Sequence, residues 1–194
     1  MNTPLTGGAS NLHPLVGRGL FIIALLLVIN IVNFIDRQLP FILIQSIKED
    51  LLLSDSQIGL MAGLAFAVVY SFAGLPLARI ADSWSPRLLL AISLSFWSVM
   101  TALSGLAQNF LHLVLGRIGV AAAEAATTPT AHALISRVYL PERRALALSI
   151  FSVGVAIGSL LGLTLGGWIN DMASWRMAFF VVGVPGLLIA LVAW

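Results

Sequence analysis

Four charged residues stand inside stretches that are otherwise apolar: Asp36, Arg37, Arg117 and Glu124. Residues 19–35, GLFIIALLLVINIVNFI, carry no charge, and Asp36 and Arg37 come next, side by side. Arg117 and Glu124 lie in RIGVAAAEAATTPTAHALIS, with Glu124 among small residues. The four charges sum to zero. An ionised side chain at the centre of a bilayer costs at least about 2.5–3.5 kcal/mol, so such groups turn to a bundle interior or a water-filled cavity. A dry cavity raises the proton affinity of a carboxylate, and an adjacent arginine lowers it. Making and breaking an Asp–Arg contact therefore changes proton affinity, which is a physical basis for proton coupling.

Helical geometry limits who can meet whom. Neighbours such as Asp36 and Arg37 point about 100° apart, so each needs a partner elsewhere. Arg117 and Glu124 share a face two turns apart, and Thr128 continues it at i+4 from Glu124. Asn30, Asn33 and Arg37 share one face, with Asp36 to its side. With an outer end near residue 44, Asp36 lies roughly 12 Å deep at the helical rise of 1.5 Å per residue. With an outer end near residue 110, Arg117 lies roughly 10 Å deep and Glu124 roughly 21 Å deep. A proton-coupling or substrate site of Asp36, Arg37, Arg117, Glu124, Asn33 and Thr128 is expected between the first and fourth spans. Two alternatives stand: the first span ends at Ile35 and leaves Asp36 and Arg37 in the outer interface, or Arg117 is interfacial at the start of the fourth. His132 reads as a satisfied polar residue rather than a ligand.

The elements that must position these residues are membrane helices. Of 194 residues, 59% are hydrophobic and 9% charged, against about 25% charged in soluble domains. Mean hydropathy is +1.02. Apolar runs of the roughly 20 residues that cross a bilayer recur along the chain. The expected fold is all-α and polytopic, with spans at 19–44, 57–80, 87–107, 110–136, 143–169 and 175–194. Residues 1–18 read as a disordered cytoplasmic tail and 19–194 as the bundle, its first helix an uncleaved span rather than a signal peptide. Ser54, and Pro141 with Glu142, read as helix starts. With the N-terminus inside, Arg18, Arg79, Arg87, Arg137, Arg143 and Arg144 face the cytoplasm, against Lys48 and Arg176 outside. Gly154, Gly158, Gly162 and Gly166 recur every four residues and form a bare stripe along which another helix can approach. Gly59 and Gly63 repeat that spacing. The net charge of +2 gives no case for nucleic-acid binding, and the absence of cysteine excludes thiol chemistry. ALSG at 102–105 with His112 or His132 is a poor match to a serine protease. No enzyme activity, cofactor or metal site is expected.

The loop ARIADSWSPR between the second and third spans, and PERRALALSI between the fourth and fifth, carry acid and base motifs on the inner side. With six spans and an inside N-terminus, they resemble the N-terminal half of a major facilitator superfamily transporter, a 3+3 inverted repeat. Against that family's loop signature Gly-x-x-x-Asp-Arg-x-Gly-Arg-Lys, Asp82 and the last basic residue, Arg87, match. Ala78, Ser83, Ser85 and Pro86 depart from it. The resemblance implies a cytoplasmic latch of Asp82 with Arg143 or Arg144. NFIDRQ, RIGVAAAEA and PERRALALSIFSVGVAIGSLLG look most like the spinster-like branch, which reads Asn-Tyr-x-Asp-Arg and Arg-x-x-x-Gly-x-Gly-Glu-Ala. Asp36, Arg37, Arg117, Glu124 and Ala125 match, whereas Phe34, Ala121 and Ala123 depart. The branch implies transport of small organic or lipid-like amphipathic molecules, with Asp36 and Glu124 as proton carriers and Arg117 as the switching partner. A bacterial inner membrane is the expected location. Such transporters have twelve spans, so the expectation is a chain truncated in its sixth helix, partnered by a C-terminal half or a second copy. The competing readings are a non-transporting fragment or accessory subunit, and another branch such as an organic-anion symporter or drug exporter.

Overall fold

A computed structural model describes residues 13–194; residues 1–12 of the expected tail lie outside the described residues. The chain is a bundle of helices: α1 (His13–Ile42), α2 (Ile44–Leu51), α3 (Asp55–Gly59), a π-helical turn (Leu60–Leu64), α4 (Ala65–Ser83), α5 (Pro86–Ser104), α6 (Phe110–Glu124), α7 (Thr127–Val138), α8 (Pro141–Met172) and α9 (Trp175–Ala193). No strand occurs among the described residues. Six helical stretches are long and apolar enough to cross a membrane: Gly17–Ile42, Asp55–Ser83, Pro86–Ser104, Phe110–Val138, Pro141–Met172 and Trp175–Ala193. These are spans 1 to 6. Helix α1 begins at His13, inside the expected tail, and breaks before Ile44, after which α2 continues separately.

The helix starts obey local chemistry. Ser54 accepts a hydrogen bond from the Gln57 amide while the Gln57 side chain accepts one from the Ser54 amide, a reciprocal capping box. Pro141 opens α8 with Glu142 in the first turn, where a missing N–H costs nothing and a carboxylate suits the helix dipole. Span 4 breaks at Ala125 and Ala126. Pro129 is the local cause, since it has no N–H for the carbonyl of Ala125 and its ring crowds that carbonyl.

The pairing of the spans has an internal symmetry. Span 1 lies along span 5, span 2 along span 4, and span 3 along span 6. Spans 1 and 6 also touch, as do spans 3 and 4. Exchanging 1 with 4, 2 with 5 and 3 with 6 maps each of these pairings onto another or onto itself. That is the contact pattern of two three-helix repeats.

The longest glycine seam joins α1 to α8. A Cβ added at Gly158 would stand 2.5 Å from the Ile31 carbonyl oxygen and 2.7 Å from the Phe34 Cβ. At Gly162 it would meet the Gln38 Cβ at 2.8 Å, and at Gly166 the Ile42 Cγ2 at 2.7 Å. At Gly154 it would meet the Asn30 Cβ at 3.0 Å. At Gly154, Gly158 and Gly162 the bare backbone of α8 lies against α1 carbonyls, of Leu27, Ile31 and Ile35, because no side chain intervenes. Two polar pins cross the seam: the Asn30 side chain donates to the Phe151 carbonyl at 2.7 Å, and Gln38 donates to the Ser159 hydroxyl at 3.4 Å. Gly59 and Gly63, expected to pack alike, have nothing within 4 Å of an added Cβ. A second seam, without a regular four-residue period, joins α5 to α9. There Gly183 and Gly186 admit the Ser98 carbonyl and hydroxyl.

The core has two apolar layers. One holds Leu26, Ile29, Leu94, Trp97, Val120 and Phe151. The other holds Leu39, Leu43, Met61, Leu113, Trp175 and Phe179. Residues 30–37 of α1, and Arg117 of α6, fall between the layers in chain order. At one end, Asp50 pairs with Arg176 and accepts from the Trp175 indole at 3.2 Å, while Arg176 donates to the Ala107 carbonyl at 3.0 Å. This ties α2, the α5–α6 loop and the start of α9. The hydrogen bond from Arg176 holds the Asp50 carboxyl below its usual range, assisted by Trp175.

Two outcomes are expected. Gly158→Ala lowers the thermal midpoint by an amount equivalent to about 1–3 kcal/mol of overpacking, whereas Gly59→Ala leaves it unchanged or raises it. Thermal unfolding in detergent measures both. A carboxyl whose pKa is depressed on folding contributes stability that is complete above its unfolded value of 3.8 and is lost as pH falls through its folded value. Asp50→Asn therefore flattens the acid limb of midpoint against pH below about 4. An unaltered acid limb would contradict this.

Candidate functional site

All four intramembrane charges converge where α1 faces α6. Helix α1 continues past Asp36 and Arg37 to Ile42, so both sit within span 1. Asp36 and Arg117 are each 1% exposed and Glu124 is fully buried. Arg37 donates from Nε to the Glu124 Oε2 at 2.8 Å. Arg117 Nη1 lies 3.7 Å from the Asp36 Oδ1, a charge contact without a hydrogen bond. The expected depth match thus corresponds to the longer pair, and the short pair joins Arg37 to Glu124.

Groups that pattern reading missed complete the shell. Thr101 of α5 donates to the Asp36 Oδ2 at 2.6 Å. Span 2 supplies two aromatic rings, Phe66 and Tyr70, and α1 itself supplies Phe34. The Arg37 guanidinium carbon stands 4.4 Å from the centre of Tyr70, 5.0 Å from Phe34 and 5.4 Å from Phe66. That of Arg117 stands 4.7 Å from Phe66. Phe66 and Tyr70 stack at 5.7 Å. Their i, i+4 spacing was the available signal, but many apolar helices carry such pairs, and this one became meaningful only with arginines opposite. Guanidinium groups stacked on rings gain cation–π attraction while their N–H edges stay free for carboxylates.

Several buried polar atoms lack hydrogen-bond partners: Asn33 Nδ2, Asp36 Oδ1, Arg117 Nε and Nη1, Glu124 Oε1, and the hydroxyls of Thr127 and Thr130. They include both donors and acceptors, so the site can bind a polar group or relay a proton. Asn33 is buried. Asn30 instead turns to α8. Thr128, expected on the face of Glu124, is exposed, and Thr127 and Thr130 are buried in its place. The break before Thr127 resets the helical register, and an i+4 count across it fails.

The expected inner latch is absent among the described residues, where Asp82 forms no ion pair. The Asp82 carbonyl accepts from Arg137 at 3.3 Å. Arg144 donates to the carbonyls of Tyr139 and Ser136, at 3.0 and 2.8 Å, and so covers the end of α7. Arg87 donates to the Ala193 carbonyl at 3.0 Å. These long arginine side chains reach backbone carbonyls at helix ends instead of the loop carboxylate.

The model of the Major Facilitator Superfamily matches residues 26–194. The chain belongs to that superfamily. It is an integral, multi-pass membrane protein. Among superfamily relatives, an MFS-type efflux pump of Mycolicibacterium smegmatis is 36% identical over 87% of this chain and 39% of its own length. Protein spinster homolog 1 of Xenopus tropicalis is 32% identical over 86% of this chain and 32% of its own. The crystal structure of a bacterial homolog to the human lysosomal transporter spinster, inward-facing and unoccupied, superposes with a TM-score of 0.85 at 32% identity. That superposition covers 96% of this chain and 43% of the other. The chain therefore spans about two fifths of the length of the superfamily proteins it matches, or somewhat less.

Removing the Thr101 donor leaves the Asp36 carboxyl underbonded. Thr101→Val is expected to destabilise the protein by about 1.5–3 kcal/mol, the usual worth of a hydrogen bond to a charged group. Thr101→Ser should restore most of it in the same denaturation assay.

Proposed function

We propose that this chain forms one six-span half of a secondary active transporter for small organic or lipid-like amphipathic molecules, coupled to protons by alternating access. The observation that carries the reading is the buried, electrically neutral set Asp36, Arg37, Arg117 and Glu124. A set that only stabilised the fold would gain little over apolar packing, because desolvation offsets the attraction of buried ion pairs. One pair is short and hydrogen-bonded and the other long, so the two carboxyls are held unequally. Protonating one releases its arginine, which is then free to bind an anionic substrate group or the other carboxyl. In this family architecture substrate binds between two such bundles, so a second bundle is the required partner. The latch of Asp82 with Arg143 or Arg144 is assigned to a conformation other than this one. The uneven placement of Lys and Arg at the two ends supports a cytoplasmic N-terminus, and the proposed location is a bacterial inner membrane.

A second reading has its own support. The relatives include an MFS-type efflux pump, a probable L-galactonate transporter and probable sugar efflux transporters. Export of small polar solutes is therefore the alternative to lipid-like cargo.

Proteoliposomes of the complete protein, offered sugars, sugar acids and lysophospholipids under an imposed pH gradient, test both. At least one class is expected to accumulate, and Asp36→Asn or Glu124→Gln abolishes the pH-driven part. Unchanged pH-driven uptake in both variants would sink the proton-carrier assignment. A reporter fused before residue 18 should be shielded from external protease, and cleavage there would reverse the orientation.

A further inference from the structure

The four charges have two ways to pair. Arg37 is paired with Glu124, and Arg117 stands against Asp36. The alternative scheme joins Arg37 to Asp36 and Arg117 to Glu124. It would need rotamer changes of the two long arginine side chains, Arg37 folding back along α1 and Arg117 reaching two turns along α6 to Glu124 on the same face. Coulomb attraction alone does not separate the two schemes, since both join unlike charges. Something in the surroundings selects.

One side chain contacts both cations. The Phe66 ring centre stands 5.4 Å from the Arg37 guanidinium carbon and 4.7 Å from that of Arg117. Arg37 has two further rings, Tyr70 and Phe34, and a hydrogen bond to Glu124. Arg117 has neither: Phe66 is its one ring contact among the described residues, and its Nε and Nη1 have no hydrogen-bond partner. A guanidinium held against a ring is restricted in position by cation–π attraction. The ring therefore limits where each arginine can donate.

The backbone of span 2 explains how Phe66 arrives there. The turn Leu60–Leu64 is π-helical, and the Ala65 amide donates to the Leu60 carbonyl, five residues back. A π turn inserts one residue and rotates the rest of the helix by about 100° relative to a continuous α-helix. Ile58, Met61 and Ala62 pack into the core before and within the turn. After it, Phe66 and Tyr70 lie toward the arginines and Phe72 is 78% exposed. Gly59 and Gly63, without neighbours within 4 Å of a Cβ, leave room for the irregular turn.

We propose that Phe66 is a positioning residue which, presented by the π turn, assigns Arg37 to Glu124 and Arg117 to Asp36 and excludes the crossed pairing. The proposal rests on the reading that these pairs are the coupling element, and it deepens it. In transport, the ring would let each carboxyl give up its arginine contact on taking a proton and regain it on losing that proton, without handing that arginine to the other carboxyl.

The test is a set of double-mutant cycles on the purified full-length protein, read as thermal midpoint in detergent. It needs no substrate. In the parent, Arg37→Gln with Glu124→Gln, and Arg117→Gln with Asp36→Asn, are expected to be non-additive by about 3 °C or more. The crossed combinations, Arg37→Gln with Asp36→Asn and Arg117→Gln with Glu124→Gln, should add. In a Phe66→Leu background, which keeps apolar bulk but removes the π face, the crossed combinations become non-additive as well. Phe66→Met serves the same purpose where Phe66→Leu does not fold. Phe66→Trp restores the parent pattern. Additive crossed cycles in Phe66→Leu or Phe66→Met would overturn the proposal, as would a Phe66→Trp background that scrambles like leucine. Its failure is separable from that of the transport reading. Intact cycles together with pH-driven uptake indifferent to Glu124→Gln would remove the coupling role and leave the pairing assignment in place.

Discussion

Everything about this bundle is organised by the need to keep four ionisable groups out of lipid while leaving them unequal. The cluster is neutral as a whole, and that allows it to exist at full burial. Its two pairs are not equivalent: one is closed by a 2.8 Å hydrogen bond and the other stands open at 3.7 Å. A fully satisfied network would be rigid, and its proton affinities would be locked by mutual attraction. Here the unpaired atoms of Asn33, Asp36, Arg117 and Glu124 keep the network incomplete. The apolar clusters around Trp97 and Phe179 make up most of the buried core, lowering the local dielectric and strengthening every charge interaction inside it.

The inverted repeat gives the cluster its two-part construction. Spans 1 and 4 correspond under the exchange, and each contributes one acid and one arginine. Each also carries a proline about one turn after its acid: Pro40 comes after Asp36, and Pro129 after Glu124. Pro40 cannot donate to the Asp36 carbonyl, and Pro129 cannot donate to that of Ala125. Both spans therefore lose a backbone hydrogen bond next to their charges. The outcomes differ. Helix α1 runs through Pro40 to Ile42, held along its length by α8, whereas span 4 divides into α6 and α7.

Spans and buried charges were legible because burial in lipid imposes a coarse pattern: about 20 apolar residues per span, with any charge conspicuous. The glycine stripe of α8 was legible for the same reason, since a period of four on one helix is local information. Partner choice was not local. Depth counting matched Asp36 with Arg117 but could not see that Arg37 reaches Glu124, because side-chain direction depends on how the two helices are rotated. Thr101 and Phe66 come from spans with no charged residue near those positions, so nothing in their sequences marked them out. Thr128 was misplaced by extending helical periodicity across a break, and Pro129 was the visible warning. The inner latch is a different case. Asp82, Arg143 and Arg144 are present, but in this conformation Arg144 is drawn to carbonyls at the end of α7, which no motif records.

The seam between α1 and α8 also bears on how this gene can change. A single-base substitution in a glycine codon yields only residues that carry a β-carbon, or a stop. At Gly158 every such residue would press against the carbonyl of Ile31 and the Cβ of Phe34. No one-step mutational neighbour of that codon preserves the contact, except a synonymous one. Gly59, Gly63 and Gly74, which face open space, are under no such restriction. Two glycines that look alike in the sequence thus differ in evolutionary freedom, and random mutagenesis of the coding sequence should recover changes at one set and purge them at the other.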